Sequence, residues 1–339
     1  MNEQNVLEGA NPPVSSTSDT RVSNATSPRQ HSHEVKRRVL DLRRTHSLRQ
    51  VAELAGLPLG TVKTICSRSG SFRDNLHHRS LFTLPPMKVS LNTGVSVPEL
   101  PPQQVVTGDK EIDAVLWLRE VIGTGQASLI EKAMQAAARL KSPLEEIEKR
   151  YSAYLHRTFP GNFGAVFASF GFADLAKLGE RAVEKAALRR EARARFGDSI
   201  YVETPAEQFC MDVMRGVDRG EHDWKLDLKQ VVSAFEQHPH LLPHTLSDCL
   251  HELGYWYSLS SLRYAFDTGC DPAIEVQARD DFLFLRLSTI RARNPAEAVA
   301  VFRHLANKGR MDRIGGDEIL LNLIGGPANT RPEGGTHAT

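Results

Sequence analysis

Residues 50–65 read Gln50-Val-Ala-Glu-Leu-Ala-Gly-Leu-Pro-Leu-Gly-Thr-Val-Lys-Thr-Ile65, and their spacing describes two short helices joined by a tight turn. Two helices pack at a steep angle only where the facing residue is small, which is the place of Ala52. The turn needs a residue that tolerates positive φ, the role expected of Gly56. Around these two, Val51, Ala55, Leu57, Val62 and Ile65 are apolar where a small core would close.

Working outward, Ser47 can cap the helix that contains Val51, with Gln50 reaching back from the third position. Upstream, Val35, Val39 and Leu42 recur at helical spacing and predict a first helix, so the unit is trihelical. The other face of that first helix is Lys36, Arg37, Arg38, Arg43 and Arg44. Such a face suits a sugar-phosphate backbone better than a protein core.

Burying Val62 and Ile65 turns Thr61, Lys63, Thr64, Ser67 and Arg68 outward on the third helix. Thr and Ser hydroxyls contact any base, a Thr methyl touches the thymine methyl, and Lys or Arg donates to guanine or to phosphate. These five are the candidate major-groove residues, and Arg37, Arg38, Arg43 and Arg44 the candidate phosphate contacts.

On these residues the stretch from Val35 to Gly70 resembles the homeodomain-like helix-turn-helix of bacterial repressors and of resolvase or transposase DNA-binding heads. The step Gly60-Thr61-Val62-Lys63 is also similar to the promoter-reading helix of sigma factors. The resemblance implies a trihelical fold with Ala52, Gly56, Val62 and Ile65 as its structural positions, and double-stranded DNA as partner. It covers this segment alone, and units of this shape also serve to hold protein partners.

The chain of 339 residues is 40% hydrophobic and 24% charged, a globular composition long enough for two domains. Its formal net charge is only +1, yet residues 31–79 hold ten Lys or Arg against four acids, so basic charge is concentrated on the segment with the DNA-reading pattern. No run of eighteen apolar residues predicts a membrane span, and residues 1–19 lack the features of a signal peptide, so the expected location is cytoplasmic. Cys66, Cys210, Cys249 and Cys270 form no Cys-x-x-Cys pair, in keeping with a reducing compartment.

Residues 1–30 are rich in Ser, Thr, Asn and Pro and are expected to be disordered; Asn24-Ala25-Thr26 within them is a chance glycosylation match. The DNA-binding domain is placed at 31–80, and prolines at 85, 86, 98, 101 and 102 make 81–107 an extended linker. A helical domain is expected over 108–325 and a flexible tail over 326–339. Three of its helices should start alike, at Ser142-Pro143-Leu144-Glu145, Thr204-Pro205-Ala206-Glu207 and Asn294-Pro295-Ala296-Glu297. Others are predicted over 112–121, 129–140, 172–195, 228–237, 245–266 and 282–292; no alternating run exceeds a few residues, and 200–203 is the one stretch that could form a short strand. The fold class is therefore all-α, an irregular bundle without a fixed repeat.

No catalytic constellation emerges. His238, His240, His244, Cys249 and His251 lie close in sequence but match no zinc module, and Pro239 and Pro243 suggest a turn whose histidines face water. Gly123-Thr124-Gly125 lacks the ending of a phosphate loop and reads as a helix-to-helix turn. Asp280 and Asp281 are expected at a helix start, as partners of its dipole. Arg189, Arg190, Arg193 and Arg195 read as a solvated face that could extend a DNA footprint, and Tyr255, Trp256, Tyr257, Tyr264 and Phe266 as packing or an oligomer interface.

The reading is a sequence-specific DNA-binding protein, a transcriptional regulator that is not an enzyme and uses no cofactor or metal. A homodimer is expected, since operators are read as paired half-sites, with a protein partner or effector on the helical domain. The alternatives are a non-catalytic DNA-binding component of a recombination or mobile-element system, and an enzyme with a His/Cys site in the helical body.

Overall fold

The computed structural model describes residues 32–324 except 44–45, 89–98, 163, 165–166, 168, 220–224, 267–268 and 270. Residues 1–30 and 326–339, the Asn24 motif, Arg44 and Cys270 lie outside the described residues. The fold is all-α: fourteen α-helices and one 3₁₀ turn are present among the described residues, with one isolated bridge, Arg219 to Leu226, and no strand. Residues 200–203, the one stretch that could have formed a strand, form a turn, with Ile200 buried and Val202 N–H closing onto the Ser199 carbonyl at 3.1 Å. No helix among the described residues is long and apolar enough to cross a membrane.

Packing divides the chain into two units, after Ile65. The first contains α1 (His33–Arg43), α2 (Leu48–Ala55) and most of α3 (Leu59–Ser69). Val39, Val51 and Val62, one from each helix, are fully buried, and Ile65 nearly so.

The second unit contains α4 (Leu76–Leu81), α5 (Lys110–Gly123), α6 (Ala127–Ala137), α7 (Leu144–Thr158), α8 (Leu175–Phe196), α9 (Pro205–Val213), α10 (Leu228–Glu236), α11 (Leu246–Tyr264), α12 (Ile274–Thr289), α13 (Pro295–Asn307) and α14 (Gly316–Leu323). Along α5, Ile112, Val115, Leu118 and Val121 recur every three residues and close a core with Ala133 and Ala137 of α6, Ile147 of α7 and Leu175 of α8. The turn from α5 to α6 is the expected role of 123–125. Gly125 there has φ 72°, and a Cβ on it would stand 2.4 Å from the Ala182 carbonyl oxygen, so only glycine lets the turn lie against α8. A second core surrounds α12, whose Phe282, Leu283 and Leu287 are fully buried against α9, α10, α11 and α14. A helix enclosed this way has apolar residues around most of its circumference.

Two helix starts follow the predicted pattern. Thr204 and Glu207 form a reciprocal capping box, and Asn294 Oδ1 accepts from Glu297 N–H at 3.0 Å. The third differs. Pro143 occupies the cap position, and Ser142 Oγ donates to Glu111 Oε2 at 2.7 Å. That carboxylate also accepts from the N–H groups of Lys141 and Ser142 at 3.0 Å each, so an acid from α5 holds the approach to α7 in place of Ser142. Helix α12 begins at Ile274, eight residues before the predicted start. Asp280 and Asp281 therefore sit inside it, where Arg310 and Arg313 pair with Asp280 at 2.9 Å each and Arg313 also pairs with Asp281.

The predicted domain end at 80 and linker from 81 differ from the observed packing, because α4 and its flanks are built into the second unit. Asn75 N–H donates to Asp248 at 2.9 Å, its side chain donates to the carbonyls of His240 and Leu242, and Phe82 is fully buried beside Tyr255 and Leu259. His78 Nε2 meets Glu252 Oε2 at 2.7 Å, and Arg279 forks onto both oxygens of Glu252 at 2.7 and 2.8 Å. The Arg279 guanidinium lies between 4.6 and 5.8 Å from the ring centroids of Phe235, Phe282, Phe82 and Phe209. Burial by itself would raise the Glu252 carboxyl, but the charge and hydrogen bonds of Arg279 outweigh it and hold the carboxyl below its ordinary value. Of the predicted linker, Leu81 ends α4, and 82–88 and 99–107 are non-helical and lie along this unit, with Lys88 N–H on the Ala194 carbonyl at 2.8 Å and Trp117 Nε1 on the Pro101 carbonyl at 2.7 Å.

Candidate nucleic-acid interface

The surface of interest is built on how α2 starts and stops. Gln50 N–H donates to Ser47 Oγ at 3.4 Å while Ser47 N–H donates to Gln50 Oε1 at 2.9 Å, the reciprocal box read from the sequence. At the other end Gly56 is left-handed, with φ 64°. Leu57 N–H reaches the Ala52 carbonyl at 3.0 Å and Gly56 N–H that of Glu53 at 3.2 Å, which satisfies two terminal carbonyls and redirects the chain. Ala52 is half-buried, and α2 packs chiefly on α1.

Helix α3 then follows Pro58 and buries Val62 and Ile65. At helical spacing that burial leaves Lys63, Thr64, Ser67 and Arg68 exposed, with Lys63 beside Ser67 and Thr64 beside Arg68 one turn apart; Thr61 at the edge is half-buried. Thr64 Oγ1 donates its proton to the Gly60 carbonyl at 2.9 Å. With that proton committed to the helix, the exposed residue offers a base an acceptor lone pair and a methyl group.

The arginines of α1 divide. Arg37 is exposed and has no polar partner among the described residues. Arg38 Nη2 donates to the Leu54 carbonyl at 3.2 Å, and half-buried Arg43 donates to the His46 carbonyl at 2.9 Å. These two tie α1 to the end of α2 and to the turn before it, a structural use that charge counting does not reveal. Arg49, counted in the basic excess but not in the predicted site, is exposed on the first turn of α2.

The other predicted clusters do not converge. His238 stacks edge-on to Phe209, His240 is exposed, and His251 Nε2 lies 3.2 Å from the Arg79 carbonyl. His238, His244 and His251 are half-buried, so of the histidines expected to face water His240 is the fully exposed one. Among the described residues no group of three or more His, Cys, Asp or Glu is placed to hold a metal ion. Cys210 and Cys249 are fully buried, and burial pushes both thiols far above the ordinary range, away from nucleophilic use. In the basic run of α8, Arg189 donates to the Ala265 carbonyl at 2.6 Å, Arg195 to Glu191 and to the Pro85 carbonyl, and Arg189 and Arg193 both lie over the Phe266 ring. Of the aromatic stretch, Tyr255 is core and donates to Thr204 at 2.8 Å, Trp256 donates to Glu252, and Tyr257 and Tyr264 are exposed.

Comparison with protein-family models, with curated proteins and with solved structures finds no match to this chain.

Proposed function

We propose that the chain is a sequence-specific DNA-binding protein whose α3 enters the major groove. The observation that carries the proposal is the α3 surface: Lys63, Thr64, Ser67 and Arg68 lie exposed on the side opposite Val62 and Ile65, on a helix set after a left-handed glycine turn. Exposed Arg37 on α1 and Arg49 on α2 add donors suited to phosphate. Transcriptional regulation as a homodimer on paired half-sites is the role that fits a single short reading helix, because one such helix alone binds weakly.

The test is selection of a preferred duplex from a randomised pool by the full chain. Lys63→Ala and Thr64→Ala should each cost about 1–3 kcal/mol on the selected site and relax base preference. Arg37→Ala should weaken all sequences alike and reduce the salt slope by about one. Failure to enrich any sequence, or an unchanged preference in both α3 variants, would reject the reading. Mapping the occupied sites across a genome then separates a regulator at promoters from a recombination factor at element ends.

A further inference from the structure

The second unit contains a cleft of about 370 Å³ between α11, α12 and the end of α13, within the size range of small-molecule sites. Its apolar lining includes Leu253 and Trp256 of α11 and Ile274, Val276 and Ala278 of α12. The Trp256 indole is held in place by its Nε1 donating to Glu252 at 3.2 Å, so this part of the wall is set before any ligand arrives.

The charged side chains that line the cleft are Lys225, Asp280, Asp281, Lys308 and Arg310. Asp280 and Asp281 line it but are already paired with Arg310 and Arg313. Lys308 also lines it, and among the described residues it has no carboxylate partner; its Nζ lies 3.0 Å from the centroid of the Tyr257 ring. A cation poised on an aromatic face, without a counter-ion, at the rim of an apolar cleft is the complement of an acid. His304 lines the same cleft, and its buried Nε2 has no hydrogen-bond partner among the described residues. Burial, then the charges of Arg310 and Lys308, hold that imidazole below its ordinary value and so favour its neutral form, whose ring nitrogen can meet a polar group of a ligand.

We infer that this cleft binds a small organic carboxylic acid, its apolar or aromatic body against Leu253, Trp256 and Val276 and its carboxylate on Lys308. The inference is independent of DNA binding.

The experiment is calorimetric titration of the full chain with three probe acids, indole-3-acetate, phenylacetate and octanoate, and with the neutral indole-3-acetamide. At least one acid should bind, and the amide should bind at least about tenfold more weakly than indole-3-acetate if that acid is the one that binds. Lys308→Met keeps the stem at an exposed position, and should weaken the bound acid by about tenfold or more with unchanged melting. Ser260→Trp, at a half-buried position in the lining, should abolish binding by filling the cleft. Silence from all three acids, equal binding of acid and amide, or unaltered acid binding in either variant would overturn the assignment.

Discussion

The three-helix unit that ends at Ile65 and the larger unit that follows it use charge in opposite ways. From 32 to 65 no charged side chain among the described residues is buried, and the fully buried positions are valines. The second unit takes Glu252, Arg279, Asp248 and His78 completely out of solvent beneath α4: Glu252 pairs with Arg279 and meets His78, while Asp248 pairs with Arg79. Exposed Arg37 on α1 and Lys63 on α3 remain free to meet a polyanion, whereas the buried charges of the second unit are committed to partners within it.

The sharpest way to break this contrast is Glu252→Gln, which leaves the Arg279 charge buried without its counter-ion. It should cost about 3–5 kcal/mol, read as a lower urea midpoint. By contrast Arg37→Ala should stay within about 0.5 kcal/mol. A near-neutral Glu252→Gln would mean that the network is not what fixes α4.

In the first unit the expected costs are smaller and come from the backbone. Gly56→Ala meets no neighbouring atom, so its cost is the left-handed conformation alone, about 1–2 kcal/mol. Ser47→Ala removes half of the capping box and should cost about 1 kcal/mol. Both should speed amide exchange in 48–65 and leave the second unit's amides unchanged. Faster exchange throughout the chain would contradict the division after Ile65.

The gentlest probe is pH. Hydrogen bonds from the Ser142 hydroxyl and N–H, then from Arg150 and the Lys141 N–H, hold the Glu111 carboxyl down at about 2. A carboxyl lowered in the folded state contributes stability that is complete above its unfolded value of 4.5 and is lost as pH falls from there toward about 2. Wild-type melting should therefore decline over that window more steeply than that of Glu111→Gln. Parallel profiles would show that Glu111 does not hold the approach to α7.

Much of the local structure was legible. Ser47 with Gln50, Thr204 with Glu207, and Gly56 are each read within four residues of chain, and each forms as expected because capping and turn geometry depend on the nearest backbone groups. The misreadings have a common origin. Ser142 had the right neighbours for a cap but was claimed by Glu111, thirty-one residues away. Asp280 and Asp281 resembled a helix start because their partners, Arg310 and Arg313, lie about thirty residues downstream. Arg38 and Arg43 have the look of phosphate contacts in the sequence, but the carbonyls of Leu54 and His46 hold them. The candidate α3 surface needed only the helical period and two buried apolar residues, and Lys63, Thr64, Ser67 and Arg68 are exposed where that period puts them.

By itself, then, the sequence determined the helical class, the caps and turn of the first unit and the outward face of α3, since these are set by interactions within one or two helical turns. Only the tertiary structure decided that Asn75, His78 and Phe82 belong to the second unit, and that a cleft rimmed by Lys308 opens between α11 and α12. The partners of those residues lie some 160 to 180 positions along the chain. Periodicity carries no information about which distant side chains will close around a buried charge, because that choice is made by packing and by the need to pair every ion removed from water.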